Sequence, residues 1–422
     1  MPRAPATAPP RSKPPLEYSI LYTATLCLLA FGAVMVYSAS SAESLLKGTG
    51  DPSYFLKRFL VYAVLGLAVL HLASRSGLEL ARRATPRLLV AAFALTAAVM
   101  VPGVGITVNG ATRWLGAGPV QFQPSELLKI ALVLYAARVL AARPRRLRTF
   151  GGLVAPLLIV VGAACALLMA QPDMGTAIVV TMSVGTVMVA AGARVRHLTA
   201  ILGALTLIGF VLAVIEPYRR ERLTSFLDPW QDAGDTGFQA VQAMIAIGSG
   251  GIFGVGLGES VQKIFYLPEA HTDMILAIIG EEMGLVGILG VAGLYGLIAY
   301  AGLRTAKAAR DRHAKLVAAG VTALILCQAV LNLFAVMGLA PLTGVPLPFV
   351  SFGNSNMIVL LGSMGVLLNV AATGGARAGA RSPARPRLVP GEGGGDAAGA
   401  DRRRRHGGTR GAGAGHRRRA AG

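Results

Sequence analysis

The sequence predicts an all-α polytopic membrane protein of about ten spans with both termini in the cytoplasm. Two observations lead there: apolar segments long enough to cross a bilayer, and basic residues concentrated in alternate connections. A third is composition. Of the 422 residues, 54% are hydrophobic and 14% are charged, against roughly a quarter charged in soluble domains. The formal net charge is +20, but its arginines lie in short connections and the C-terminal tail, where charge orients a membrane protein. Nucleic acid is therefore not an expected partner.

Residues 1–16 are Pro- and Ala-rich, with Arg3, Arg11 and Lys13, and read as a disordered cytoplasmic lead. The membrane domain is expected over 17–372, with apolar segments at about 18–38, 56–74, 86–102, 124–142, 152–170, 175–191, 198–215, 274–303, 316–338 and 352–371. The first segment, Tyr18 to Tyr37, is of spanning length and reads as a retained span rather than a cleaved leader. Cys27, Cys165 and Cys327 lie inside apolar segments, as buried small hydrophobes rather than a disulfide framework or metal site.

Positive charge sets the orientation. Arg75, Arg82, Arg83 and Arg87 fall in the second connection, Arg143, Arg145, Arg146 and Arg148 in the fourth, Arg194 and Arg196 in the sixth, and Arg304 to Lys315 in the eighth. These share a side with the lead and with the Gly/Ala/Arg-rich tail, 373–422, which suits anionic headgroups or an acidic partner. Lys47, Lys57, Arg58 and Arg113 break the rule. The longest connection, about 217–272, lies outside, with the loops at 103–123 and 339–351.

Chemistry-bearing residues cluster in those outer segments. Asn109-Gly110 marks a turn, and Arg113-Trp114 suits a membrane interface. Pro124-Ser125-Glu126 reads as the first turn of a helix, and Glu126 and Lys129, three apart, as a structural pair or a functional one. Asp173 reads as a turn or cap residue, with a site role as the alternative. Arg219, Arg220 and Arg222 offer phosphate binding or plain headgroup contact. The glycines at 248–258 lack the Gly-Lys-Ser/Thr of a P-loop and read as a bent or re-entrant segment. Asp273 sits at the outer mouth of the eighth span, as an N-cap or as a carboxylate available for general-base work. Glu281 lies about 12 Å deeper, off that line of the helix. Glu281 and Glu282 are costly in an apolar span and therefore suspected of a functional or hydrogen-bonding role.

Several stretches in order carry a resemblance: Asn109 to Trp114, Gln123 to Lys129, Gln171 to Thr176, Leu267 to Gly284 and Pro341 to Ser355. Together they resemble the shape, elongation, division and sporulation (SEDS) family of peptidoglycan polymerases, the relatives of FtsW and RodA, over about residues 15–372. Tyr266 to Asp273 looks closer to the division branch, and Phe352-Gly353-Asn354-Ser355-Asn356 departs from the family's Gly-Gly-Ser-Ser pattern. The resemblance implies a ten-span fold in the bacterial cytoplasmic membrane at the division septum. It also implies a glycosyltransferase that uses lipid II as donor and acceptor, with inversion. Asp273 is then the general base, and the expected substrate contacts are Arg113, Trp114, Glu126, Lys129, Arg219, Arg222, Glu269, His271, Thr272 and Ser351. The departing pyrophosphate would find cations in Arg219, Arg220 and Arg222 or Lys263. No cofactor is firmly implied; a divalent cation, Mg or Mn, is compatible. Expected partners are a class B penicillin-binding protein and other division proteins. The rival readings are a flippase for the same lipid, a non-catalytic scaffold, and an elongation role.

Overall fold

The computed structural model describes residues 14–380, apart from 48, 49, 109, 118, 119, 143, 145–148, 154–156, 216 and 265. Residues 1–13 of the lead, 381–422 of the tail, Asn109 and the four arginines of the fourth connection lie outside the described residues, as do the side chains of Arg219 and Arg222.

The described residues form helices and one small sheet. In chain order these are α1 (Leu16–Lys47), α2 (Tyr54–Ala98), β1 (Ile106–Val108), β2 (Ala111–Ala117), β3 (Val120–Phe122), α3 (Pro124–Ala142), α4 (Phe150–Leu153), α5 (Ile159–Ala170), α6 (Met174–Ala190) and α7 (Val195–Ile215). After these come α8 (Pro217–Leu227), α9 (Phe238–Gly250), α10 (Ile275–Ala308), α11 (Arg312–Val336) and α12 (Asn354–Ala380). Five helical segments among the described residues are long and apolar enough to cross a membrane: Leu16–Leu46, Tyr54–Arg75, Ile275–Ala308, Arg312–Val336 and Asn354–Gly374. Shorter apolar helices, Ile159–Ala170 and Met174–Ala190 among them, accompany these. The all-α membrane class is the one the sequence predicts.

The second and third predicted spans are one helical run, and the Arg75–Arg87 stretch between them is helical rather than a loop. Its helix formers and an Arg83–Glu79 pair at i,i+4 explain why. A straight helix of 45 residues would measure about 67 Å. Yet Phe55 near its start and Thr96 near its end both reach the Arg113 end of the bundle, while the Arg82 carbonyl accepts from Arg138 far along α3. The run therefore doubles back on itself. At the other end of the chain, α12 continues to Ala380, past the expected domain end at 372.

α3 is the central helix, buried on most of its length and packed by α2, α6 and α11. Pro124 opens it, where its missing N–H costs nothing, and Glu126 complements the dipole in the first turn. The loop before it folds as an antiparallel sheet in the order β1-β2-β3, which the turn signal at 109–110 only hinted at. Alternating Thr, Val and Trp suit the pleat, and Gly110 takes φ +74° at the hairpin turn.

α10 is broken at Gly284, with φ +64° and ψ −159°. The Leu285 and Val286 N–H groups donate to the Gly251 and Ile252 carbonyls at 3.0 and 3.2 Å, while the Glu281 and Glu282 carbonyls accept from Val255 and Gly256 at 3.0 and 3.1 Å. The glycine-rich segment thus takes up backbone groups that the break releases, as irregular backbone inside a membrane protein requires. This is the bent, packed segment expected from the sequence. A Cβ on Gly250 would come within 1.9 Å of the Gly280 carbonyl oxygen, so this contact needs glycine.

Candidate active site

Asp273 closes the loop that leads into α10. Its carbonyl accepts from the Asn332 side-chain amide of α11 at 2.6 Å, and the same amide donates to the Val345 carbonyl at 2.9 Å. One asparagine thereby ties the 266–274 loop to the 339–353 loop. A second tie runs from the Phe352 N–H to the His271 carbonyl at 3.0 Å. The far loop is itself held: Tyr295 donates to the Pro348 carbonyl, and the Leu347 N–H donates to the Ser351 hydroxyl at 2.8 Å. The Thr272 hydroxyl lies 2.7 Å from Glu269 Oε2 and 3.3 Å from Asp273 Oδ1.

These loops border a cavity of about 630 Å³. The sheet supplies Arg113, Trp114, Gln121 and Gln123; α2 supplies Phe55 and Arg58; the 266–274 loop supplies Glu269, His271, Thr272 and Asp273; α12 supplies Asn354, Ser355 and Asn356. Arg113 donates from Nε to the Gln171 carbonyl at 2.9 Å and from its terminal nitrogen to the Pro172 carbonyl. The guanidinium is thus fixed against the α5–α6 turn, and Gln171 passes the tie on to the Thr96 carbonyl. Arg58 stacks over the rings of Tyr54 and Phe352, at 5.6 and 5.9 Å.

His271 is packed among Phe55, 4.2 Å away between ring centres, and Phe352 at 5.7 Å. Burial pushes its imidazole below the ordinary value, while Glu43 and Glu269 pull the other way. Its Nδ1 is 3.6 Å from Glu43 Oε2, too long for a hydrogen bond, and has no hydrogen-bonding partner.

Six predicted site residues, Asp273, Arg113, Trp114, Glu269, His271 and Thr272, share this one cavity. Of the other five, Glu126, Lys129 and Ser351 are placed differently. Glu126 and Lys129 form a buried pair at 2.9 Å, with Lys129 also donating to Gln328 at 3.1 Å, outside the cavity lining. Ser351 serves a turn, and Arg219 and Arg222 ride on α8 with side chains outside the described residues. Asp173 is a cap: it accepts from the Thr176 N–H at 3.2 Å and from the Ser125 hydroxyl at 3.3 Å.

Lys263 is corrected from a pyrophosphate cation to a structural one. It is buried, pairs with Glu282 at 2.8 Å and donates to the Gly258 carbonyl at 2.6 Å. Ser38 of α1 donates to the same carboxylate at 2.7 and 2.8 Å. Glu281 accepts from the Ser260 hydroxyl and from the Val261 N–H at 3.0 Å. Both intramembrane carboxylates are therefore used to hold the outer segment onto α10.

The cavity's other cation, Arg58, stands out in the sequence only as an exception to the charge rule. That exception was the signal: an arginine on the outer side of a span has a reason to be there. Phe55 and Gln239 carry no comparable mark, while Asn354 and Asn356 stand out in the sequence only as a departure from the family pattern.

Residues 19–374 match the FtsW, RodA and SpoVE family, described as cell cycle protein. The chain is 41% identical over 83% of its length to a probable peptidoglycan glycosyltransferase FtsW of a Geobacter species, covering 95% of that protein. It is 40% identical to the stage V sporulation protein E of Bacillus subtilis, over 83% of this chain and 96% of that one. Among solved structures it resembles a chain from a study of polymerization and crosslinking by a peptidoglycan synthase complex. There the TM-score is 0.70 at 32% identity, covering 84% of this chain and 97% of that one. The rod shape determining protein RodA of Thermus thermophilus matches at a TM-score of 0.57 and 29% identity, over 83% of this chain and 95% of that one.

Proposed function

The chain belongs to the FtsW, RodA and SpoVE family, and from that premise we propose that it polymerises lipid II into glycan strands with Asp273 as general base. Its FtsW relatives are named as peptidoglycan glycosyltransferases, and this chain is such an enzyme. The observation that carries the mechanism is the placement of Asp273 in one cavity with Arg58 and Arg113.

The acceptor sugar hydroxyl gives its proton to the Asp273 carboxylate and attacks the anomeric carbon of the donor. The bond from that carbon to the lipid pyrophosphate breaks, and configuration inverts. A positioned base contributes typically 10²–10⁴-fold. Arg58 and Arg113 face the departing diphosphate, whose charge grows as the bond breaks. Asn332 holds the backbone that carries the base, so α11 positions the reaction without touching it.

Among the described residues no three His, Cys, Asp or Glu side chains converge as a metal site. A divalent cation, Mg or Mn, would fit here as one brought by the substrate's own phosphates, the way Mg²⁺ is commonly held. The flippase alternative needs polar groups along the membrane depth. Here Glu126, Lys129, Lys263 and Glu282 are engaged with one another in pairs, which favours chemistry at the outer cavity. A class B penicillin-binding protein at the septum is the partner we propose, consistent with the synthase complex that contains a similar chain.

The test is purified protein incubated with labelled lipid II, with and without a transpeptidase partner, and the products run on a gel. Wild type is expected to make polymer, and folded Asp273→Asn to make none. Lipid movement across vesicles without any polymer would favour the flippase instead.

A further inference from the structure

Three side-chain atoms of α3 and α11 are buried without a hydrogen-bond partner: Glu126 Oε2, Gln328 Nε2 and Asn332 Oδ1. Their residues are 3%, 0% and 2% exposed, so bulk solvent does not reach them. The two helices run antiparallel. Arg312 at the start of α11 donates to the Leu140 carbonyl near the end of α3 at 3.3 Å, and Gln328, further on, meets Lys129 at 3.1 Å. From that contact Glu126 lies one turn toward the outer face on α3, and Asn332 one turn toward it on α11. Those steps rise about 4.5 and 6 Å, and each keeps to one helix face. The three atoms are therefore gathered in one place, beneath the Asp273 carbonyl to which Asn332 donates.

Their partners fix which end of each group is left over. Gln328 must turn its carbonyl oxygen to the Lys129 ammonium, which only donates, and so keeps Nε2. Asn332 commits Nδ2 to the Asp273 and Val345 carbonyls at 2.6 and 2.9 Å and keeps Oδ1. Glu126 gives Oε1 to Lys129 at 2.9 Å and keeps Oε2. Buried polar groups are normally satisfied. One donor and two acceptors are the complement of a water molecule that accepts once and donates twice, and buried waters make about three such bonds. A cation would be repelled by Lys129 and the Gln328 N–H, and an anion by the Glu126 carboxylate.

We propose that one ordered water bridges Glu126, Gln328 and Asn332, and that through it the Glu126–Lys129 pair positions Asp273. The line of contacts runs from the ion pair to the water, from the water to Asn332 Oδ1, and from Asn332 Nδ2 to the Asp273 backbone. A hydrogen bond accepted at Oδ1 polarises the amide and strengthens the bonds that Nδ2 donates. Two residues expected from the sequence to touch substrate thus act from behind the base, outside the cavity lining. What Asp273 does rests on the lipid II reading; the water site rests on the three atoms alone.

The test uses full-length protein in nanodiscs. A density map fine enough to show ordered solvent is expected to place a water oxygen within hydrogen-bond distance of all three atoms. Protein groups pairing with those atoms, or a spread too wide for one molecule to span, would overturn the proposal. Kinetics then separate the roles. Lys129→Met should melt lower, since it leaves the Glu126 carboxylate buried without its partner. The triple variant Glu126→Leu, Lys129→Met, Gln328→Leu replaces the polar set by apolar groups of similar volume and should regain most of that melting temperature. Its kcat for lipid II should still be lower by about tenfold or more, since slight misplacement of a base is costly, with KM within a few-fold of wild type. Gln328→Met, a single neutral replacement, should show the same split on a smaller scale, and it carries the test if the triple variant does not fold. Wild-type kcat in either folded variant would make the cluster purely structural and overturn the positioning role. A rise in KM of about tenfold or more with kcat retained would put Glu126 and Lys129 on the substrate and overturn it as well. A wild type that makes no polymer would sink the enzyme reading, and the map would then decide the water by itself.

Discussion

Replacing Gly284 by alanine puts a Cβ 2.5 Å from both the Gly254 nitrogen and the Ile252 carbonyl oxygen, and no flexible side chain is there to yield. The backbone at 284 has φ +64° and ψ −159°, a region open to glycine and costing other residues about 1–3 kcal/mol. Pushing the glycine-rich segment away would also break four exchanged hydrogen bonds, those from Val255, Gly256, Leu285 and Val286. At about 0.5–1.5 kcal/mol each, their loss brings the total to roughly 3–9 kcal/mol. A melting temperature lowered on the order of 10 °C follows, measured by thermal unfolding in nanodiscs. Gly290 on the same helix is the control, since a Cβ there meets nothing within 4 Å. Its alanine variant should be neutral or more stable by about 0.5–1 kcal/mol. Gly284→Ala melting with the wild type would refute the reasoning that the break is held by that backbone geometry and those bonds.

Three further outcomes follow from the same contacts. Asn332→Leu removes the amide hydrogen bonds to the Asp273 and Val345 carbonyls. It should lower polymer formation by about tenfold or more and stability by about 1–3 kcal/mol, read by gel and by melting. Glu282→Leu leaves Lys263 buried without its counter-ion, at a cost of about 3–5 kcal/mol; adding Lys263→Met should recover most of it in a double-mutant cycle. His271 has its basicity lowered chiefly by burial, against the raising pull of Glu43 and Glu269. Its stability contribution is thus complete above the ordinary value of 6.5 and is lost as pH falls through the depressed folded value. Melting followed from pH 7.5 downward should decline, and folded His271→Gln should decline less steeply.

What the sequence made legible was what apolar length and charge asymmetry encode. The span at 124–142 coincides with α3, and the span predicted from 274 begins one residue before α10, because each boundary is marked by a cap or a turn. The Arg75–Arg87 helix reads as a connection in the sequence because its polarity outweighs its helix propensity. The site was half legible. Asp273, Glu269, His271 and Thr272 are neighbours in sequence and so travel together into the cavity. Arg58 and Asn332 come from other elements, and only folding brings them near. Lys263 reads as a free cation in the sequence for the same reason: its partners Glu282 and Ser38 are 19 and 225 residues away, and no spacing rule links them.

The central claim is that Asp273 acts on a proton rather than merely holding the substrate. The most direct test compares folded wild type and Asp273→Asn for lipid II affinity and for polymer yield in the same nanodiscs. Affinity within a few-fold and polymer yield down by about 10²–10⁴-fold is the result expected of a general base. Polymer made by folded Asp273→Asn at near wild-type yield, or a loss wholly explained by weaker binding, would contradict it.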